Sequence, residues 1–147
     1  MPSPFVVLMV EDNQPTLSLL AAIAKREGFR VLLAADGAKA LAIVAQQSVD
    51  AVVLDLILPE ISGFDILRYF KNKKPELLAR TIVITAASEQ IYEHCQELRQ
   101  VCRFYRKPLD FIDLTSALHA CRAAKARDAG EGLSLPAAVR MPRHDAS

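Results

Sequence analysis

Two hydrophobic patterns alternate along the first 126 residues: short continuous apolar runs and longer stretches with the spacing of a helix face. The run Ala51 to Leu54 is apolar throughout and ends on Asp55, as in a strand that is buried on both faces of a parallel sheet. Similar runs predict five strands, at 5–10, 31–34, 51–55, 81–85 and 101–105. Five strand–helix repeats with short connections predict a three-layer, doubly wound α/β sandwich, (βα)5, with a parallel sheet.

The stretches between the runs predict helices, and each begins near a residue that can cap a helix N-terminus. The fourth helix is predicted at 88–99, because Ile91, Cys95 and Leu98 fall on one face. Pro75 is expected to close the third helix, and the fifth helix is predicted at 110–126. The predicted capping residues are Asn13 or Gln14, Asp36, Ser62, Ser88 and Asp110.

The pattern changes after Arg127. Gly130, Gly132, Pro136 and Pro142 break the periodicity, and too few apolar residues remain to offset the entropy of ordering the chain. We therefore predict one domain over 1–126, a disordered C-terminal tail over 127–147, and no DNA-binding or catalytic output domain.

Composition narrows the function classes. The chain has 18 basic and 17 acidic residues, so no overall field favours direct nucleic-acid binding. No apolar run approaches the ~20 residues that span a bilayer, and the N-terminus lacks the basic region of a signal peptide, which predicts no membrane insertion. The three cysteines show no CxxC spacing, which favours reduced thiols in a cytoplasmic protein.

Polar residues stand where four of the predicted strands end. Glu11 and Asp12 follow the first strand, Asp55 ends the third, Thr85 ends the fourth, and Lys107 follows the fifth. Taken alone, Asp55 could as well be a helix cap or a solvated strand end as a functional residue. In a parallel sheet, however, all of these ends lie at one edge, and three converging carboxylates repel one another unless a cation joins them. Oxygen ligands without histidine or thiolate favour Mg²⁺.

This constellation indicates phosphoryl transfer. Asp55 is the candidate nucleophile, and its attack would give an aspartyl phosphate. Thr85, Lys107 and the metal would hold the phosphoryl oxygens, since positioning and electrostatics supply most of such catalysis. Lysine suits the role of a point charge at a phosphate.

At these residues the sequence resembles the receiver domain of bacterial two-component response regulators. The resemblance covers about residues 5 to 123 and implies a flavodoxin-like sheet with strand order 2-1-3-4-5. The matching motifs are Val10-Glu11-Asp12-Asn13, Leu54-Asp55-Leu56 with Pro59 and Gly63, Ile84-Thr85-Ala86, and Lys107-Pro108-Leu109.

The resemblance implies a role for each matching acid. Asp55 corresponds to the phosphoacceptor. Asp12 and Asp55 would bind Mg²⁺ directly, Glu11 through a water, and Ile57 through its backbone carbonyl. Glu11 stands where the family often has aspartate, which lengthens one arm of the metal site.

The resemblance also implies a conformational switch. Thr85 would hydrogen-bond a phosphoryl oxygen, and Lys107 would pair with the phosphate. Phe104, three residues before Lys107, matches the family's switch aromatic, although the neighbouring Tyr105 is a second candidate ring. Val101 and Cys102 replace the small Gly-Ala pair that often precedes this strand.

Two functions follow as hypotheses. In the first, the chain is a stand-alone response regulator that takes a phosphoryl group from a histidine kinase or histidine phosphotransfer protein and signals to a protein target. Its output surface would be helix 88–99, strand 101–105 and helix 110–126, and its only chemistry would be Mg²⁺-assisted self-phosphorylation and autodephosphorylation. In the second, it is a pseudo-receiver, a scaffold that binds partners without phosphorylation. A phosphatase is disfavoured, because Ile57 stands where a second acid would be needed.

Overall fold

Five parallel strands form a single sheet in the computed structural model, which describes residues 4–128. The strand order is β2-β1-β3-β4-β5, so the predicted fold class and order are confirmed. The weakly apolar fifth strand lies at a sheet edge, where its polar residues can face solvent. The strands are β1 (Val6–Val10), β2 (Arg30–Ala34), β3 (Ala51–Asp55), β4 (Thr81–Thr85) and β5 (Arg103–Arg106).

Helices and turns connect the strands. The described helices are α1 (Gln14–Arg26), α2 (Gly37–Gln46), α3 (Gly63–Lys73), α4 (Pro75–Leu78), α5 (Glu89–Tyr92) and α6 (Phe111–Asp128), and a 3-10 turn spans Gln96–Arg99. Pro75 follows the end of α3 as predicted, but it also opens the short α4, where its missing N–H costs nothing. Within residues 4–128, no helix combines the length and the hydropathy needed to cross a membrane.

Three predicted caps position the helices around the sheet. The Asn13 side chain accepts a hydrogen bond from Thr16 N at 2.9 Å, and the Asp36 side chain accepts one from Lys39 N at 2.8 Å. Ser62 and Asp65 form a reciprocal capping box at the start of α3. Short polar side chains therefore fix the residue at which each of these helices begins.

Alternate strand residues point to opposite faces and build two core layers. On one face, Val7 and Met9 pack with side chains of α1 and α6. On the other, Leu8 and Val10 pack with side chains of α2 and α3. Apart from the half-buried Val6, every residue of β1, β3 and β4 is buried, so the three central strands hold their carboxyl ends in fixed positions.

The prediction of a helix at 88–99 is wrong. Only the four residues of α5 and the 3-10 turn are helical there, and the Ser88 side chain makes no capping bond. Ile91, which was assigned to the buried face, is 57% exposed. The residue of this segment that packs inward on an aromatic ring is Tyr92, whose ring lies 4.8 Å from that of Phe104.

The last helix, predicted at 110–126, is longer than expected, because α6 spans Phe111–Asp128 and includes the first two residues of the predicted tail. The Asp128 carboxylate forms an ion pair with the Arg80 guanidinium at 3.6 Å. The remainder of the predicted tail, 129–147, lies outside the described residues, as do residues 1–3.

Candidate functional site

The carboxyl edge of the sheet gathers the three predicted acids. Glu11 directly follows β1, and its N–H donates to the carbonyl of Ala34, which ends β2. Asp55 is the last residue of β3. One carboxylate oxygen from each of Glu11, Asp12 and Asp55 lies within 4.8 Å of the other two. Glu11 and Asp55 are buried, 1% and 3% exposed, whereas Asp12 is exposed at the rim.

Lys107 connects the two buried acids. Its Nζ donates to Glu11 Oε1 at 2.8 Å and to Asp55 Oδ2 at 3.0 Å. Burial alone would lower the pKa of Lys107, but the hydrogen bonds and charges of Glu11 and Asp55 outweigh it and raise that pKa. The ammonium is therefore held charged at the centre of the site.

Backbone donors orient the same carboxylates. The Ile57 N–H donates to Asp55 Oδ1 at 3.0 Å, and the Asn13 N–H donates to Glu11 Oε2 at 3.1 Å. Burial raises the pKa of Glu11, an effect that the hydrogen bonds from Lys107 and Asn13 oppose and the charge of Asp55 reinforces. Carboxylates this close together repel one another, and a bound cation would relieve that repulsion.

Thr85 is fully buried at the end of β4. Its hydroxyl accepts a hydrogen bond from Ala87 N at 3.0 Å, which leaves the hydroxyl hydrogen available as a donor. Its carbonyl accepts from Lys107 N at 2.9 Å, so β4 and the Lys107 backbone are held together. The structure thus brings Thr85 to the same edge, although its side chain bonds the following turn and no described bond joins it to Asp55.

Gly63 shapes the loop that follows Asp55. Its N–H donates to Leu56 O at 2.9 Å, and a Cβ at this position would overlap the carbonyl oxygen of Asp55 and lie 2.5 Å from Leu56 Cα. Only glycine fits this close approach of α3 to the end of β3.

Phe104 and Tyr105 face opposite sides of the sheet. Phe104 packs with the layer that contains Leu54 and Val83. Tyr105 packs with the other layer, and its hydroxyl donates to the Asp113 carbonyl at 3.3 Å. Phe104 therefore lies on the side of the 86–100 segment, whereas Tyr105 is tied to α6.

The donor set fits a hard divalent cation. Three carboxylates converge without histidine or thiolate, which is the ligand chemistry that Mg²⁺ prefers. Lys107 compensates only part of their negative charge. Glu11, Asp12 and Asp55 would hold the ion, and the contribution of the Ile57 carbonyl stays a prediction.

Comparison with known proteins identifies the family. Residues 7–119 match the response regulator receiver domain. The chain belongs to this family. Receiver domains are modules of two-component signal transduction, and this receiver domain shares their five-stranded fold.

Relatives differ in how much of them this receiver domain covers. It is 29% identical to protein PilH of Pseudomonas aeruginosa over 118 residues, 80% of this chain and 97% of PilH. It is 38% identical to the probable transcriptional regulatory protein TcrX of Mycobacterium tuberculosis over 73 residues, 49% of this chain but only 31% of TcrX. A solved structure of TrrA from Thermotoga maritima, in complex with Mg(2+)-BeF, is 26% identical with a TM-score of 0.69, covering 79% of this chain and 97% of that one.

Two features of this receiver domain were not predicted from its sequence. The first is the bond between Glu11 and Lys107, which are 96 positions apart and have no local pattern in common. The second is Tyr92, which contacts the predicted switch ring Phe104. The helical spacing of Ile91, Cys95 and Leu98 predicts a buried face that excludes Tyr92. The size and aromatic character of Tyr92 are the sequence features that favour its burial.

Proposed function

We propose that Asp55 accepts a phosphoryl group from a phosphohistidine of a partner kinase or phosphotransfer protein, in a Mg²⁺-dependent reaction. The observation that carries the proposal is the bridging position of Lys107, 2.8 Å from Glu11 and 3.0 Å from Asp55. A purely structural ion pair needs one buried acid for one lysine. Here a second buried acid and the exposed Asp12 converge on the same point, which favours a site for a cation and a phosphoryl group.

The proposed reaction moves one phosphoryl group from the donor histidine to Asp55. An Asp55 carboxylate oxygen attacks phosphorus as the P–N bond to the donor histidine breaks and its electron pair returns to the imidazole. In this proposal Lys107 pairs with the phosphoryl oxygens, and Thr85 donates its hydroxyl hydrogen to one of them. When bound, Mg²⁺ would neutralise charge on the phosphoryl oxygens. Hydrolysis of the acyl phosphate by water would reset the domain.

We further propose that the signal leaves through an output surface made of residues 86–100, β5 and α6. Movement of Thr85 toward a phosphoryl group would open space beside β4, into which Phe104 can turn. Phe104 is half-buried and rests on Tyr92, so its movement would be transmitted to the 86–100 segment. A protein target is expected to prefer the phosphorylated form by about 1–3 kcal/mol, the usual size of such coupling.

The proposal includes independent action of this domain. Its support is the match to 97% of PilH, a relative hardly longer than the domain itself. Other relatives are longer: in TcrX, for example, the matching region is only part of the chain.

The test is intact-mass spectrometry after incubation with a small acyl phosphate and Mg²⁺. One phosphoryl group should be added to the wild type and none to Asp55→Asn. Asp36→Asn is the matched control, because asparagine caps α2 as well as aspartate and the residue lies outside the acidic cluster. Labelling that persists in Asp55→Asn would contradict the assignment. Its absence from the wild type, with both acyl phosphate and a phosphohistidine donor, would favour the pseudo-receiver.

A further inference from the structure

Two thiols meet where β4, β5 and α6 come together. The backbone N–H of Cys102 donates to the carbonyl of Thr81 at 2.8 Å, and the Cys121 thiol donates to the carbonyl of Arg80 at 3.7 Å. These acceptors are consecutive residues, Arg80 just before β4 and Thr81 at its start, so the two cysteines lie near the same point of the sheet. Cys102 also packs against the core layer that contains Cys121.

The side chains of the two cysteines interact. A hydrogen bond between their side chains is the main cause that raises the pKa of Cys121, followed by burial. Both residues are bound to consecutive backbone carbonyls and share one core layer, so little backbone movement is needed to bring their sulfur atoms together. The pair is therefore preorganised for oxidation.

The two cysteines have different environments. Cys121 is fully buried in α6. Cys102 is half-buried, and the Arg103 guanidinium lies 3.9 Å from its sulfur. A neighbouring positive charge favours a thiolate, and an accessible thiolate beside a second thiol is the arrangement of a redox-sensitive pair. Cys102 is thus the sulfur that an oxidant can reach, and Cys121 the one that resolves it.

We propose that Cys102 and Cys121 form a reversible intramolecular disulfide when the protein meets hydrogen peroxide. The Cys102 thiolate attacks one peroxide oxygen, the O–O bond breaks, and a sulfenic acid and water are formed after protonation. The Cys121 sulfur then attacks the sulfenic sulfur, and the hydroxyl leaves as water with the Cys121 proton. Two electrons pass from the two thiols to the peroxide, and a dithiol reductant reverses the reaction.

Cys95 offers an internal comparison. It packs against the opposite core layer, so the sheet separates it from the pair. Burial and the hydrogen bond to Glu97 raise its pKa, and the nearest described charge is negative rather than positive. It should contribute neither sulfur to the disulfide.

The bond would tie the start of β5 to α6. Both elements belong to the output surface, and Phe104 is only two residues from Cys102. This consequence, though not the disulfide itself, rests on the proposed function: oxidation would restrain the rearrangement by which phosphorylation is read. The chemistry at sulfur does not require phosphorylation of Asp55.

The test uses the full chain under native conditions, without phosphodonor. The protein is treated with stoichiometric hydrogen peroxide, quenched in acid, unfolded and alkylated, and its intact mass is measured. The wild type should lose the mass of two hydrogen atoms and take up one alkyl group instead of three. Cys95→Ser should lose the same mass and take up none, and reduction before alkylation should restore every thiol.

Cys102→Ser and Cys121→Ala should each abolish the loss of two hydrogen atoms. Circular dichroism shows whether the buried substitution Cys121→Ala impairs folding. If it does, Cys102→Ser decides the test, because Cys102 is only half-buried. Full alkylation of the wild type after oxidation would overturn the proposal. A disulfide that peptide mapping assigns to Cys95, or one that persists in Cys102→Ser, would overturn it equally. None of these results depends on phosphorylation, so failure of this proposal and failure of the proposed function are distinguishable.

Discussion

At the scale of single residues, Gly63 controls the backbone around Asp55. A Cβ there would overlap the Asp55 carbonyl, so Gly63→Ala must push α3 away from the end of β3. We expect a loss of about 1–3 kcal/mol in the free energy of unfolding, the usual cost of overpacking. Because the displaced atoms belong to Asp55 and Leu56, phosphorylation of Asp55 should also slow. Urea unfolding and the mass assay measure the two effects.

Gly37→Ala is the matched comparison for that substitution. Its Cβ would lie 2.5 Å from Ile61 O and 2.8 Å from Ile61 Cβ, so it is similarly overpacked but does not touch Asp55. It should reduce stability while phosphorylation of the folded protein stays near the wild-type rate. Equal effects of the two variants on phosphorylation would show that Gly63 has no local role.

Asp65 gives a pH-dependent prediction. Its pKa is lowered, chiefly by the hydrogen bond from the Ser62 N–H and further by the Ser62 hydroxyl and Arg68. A depressed carboxyl pKa contributes stability above the ordinary value of 3.8, which is lost as the pH falls through the folded-state pKa. The advantage of the wild type over Asp65→Asn in urea unfolding should therefore be present at pH 7 and shrink below pH 3.8.

The partners of Asp65 can be separated. The Arg68 ion pair is exposed, whereas the backbone hydrogen bond is the larger cause of the shift. Arg68→Gln should therefore keep most of the pH dependence. A wild-type advantage that is the same at both pH values, or that vanishes in Arg68→Gln, would contradict this account of the cap.

The position of the site residues was predictable, because parallel topology forces the carboxyl ends of strands to one edge. Glu11, Asp55, Thr85 and Lys107 needed only the strand boundaries and the strand direction. Their hydrogen bonds were not predictable, because they depend on rotamers and burial. For example, the Thr85 hydroxyl accepts a hydrogen bond from the Ala87 N–H, and no local sequence pattern predicts this partner.

At the scale of elements, the 86–100 segment departs most from the sequence prediction. The spacing of Ile91, Cys95 and Leu98 is helical, but a period alone does not supply an apolar face: Ile91 is 57% exposed and the other two are only half-buried. Short helices are stabilised mainly by tertiary packing, and here that packing is centred on Tyr92. The central strands β1, β3 and β4 are mostly apolar and almost wholly buried, so their sequences carried no such ambiguity.

Tyr92 should therefore be the main anchor of this segment. Tyr92→Ala removes the ring that lies 4.8 Å from Phe104, and we expect it to lower the free energy of unfolding by about 1–2 kcal/mol. Tyr92→Phe keeps the aromatic contact and should cost much less. Urea unfolding gives the energies, and hydrogen exchange should show faster exchange across 86–100 in Tyr92→Ala only. An exchange pattern unchanged by the alanine would mean that other contacts hold the segment.

At the scale of the whole molecule, the two edges of the sheet have opposite roles. The carboxyl edge gathers three carboxylates around a single lysine, whereas the charges at the amino edge pair with one another. There, Asp50 is 8% exposed and accepts from the Val6 N–H at 2.7 Å and from Lys125, while Arg80 donates to the Asp50 carbonyl at 2.5 Å. These bonds join β1, β3, β4 and the end of α6, so the amino edge of the sheet is held together by buried polar contacts.

This arrangement predicts where the chain can be shortened. A chain that stops after Asp128 keeps every described bond, and we expect its thermal midpoint to equal that of the full chain, since residues 129–147 offer no apolar stripe for packing.

A chain that stops after Ala124 loses Lys125 and leaves the buried Asp50 carboxylate short of a partner. That should cost about 1–3 kcal/mol, the penalty of an unsatisfied buried group. Lys125→Met in the full chain should reproduce most of the loss, because it removes the charge while keeping the helix. Equal stability of both truncated chains would show that the amino edge does not need α6, and a large loss on removing 129–147 alone would show that the final segment packs on the domain.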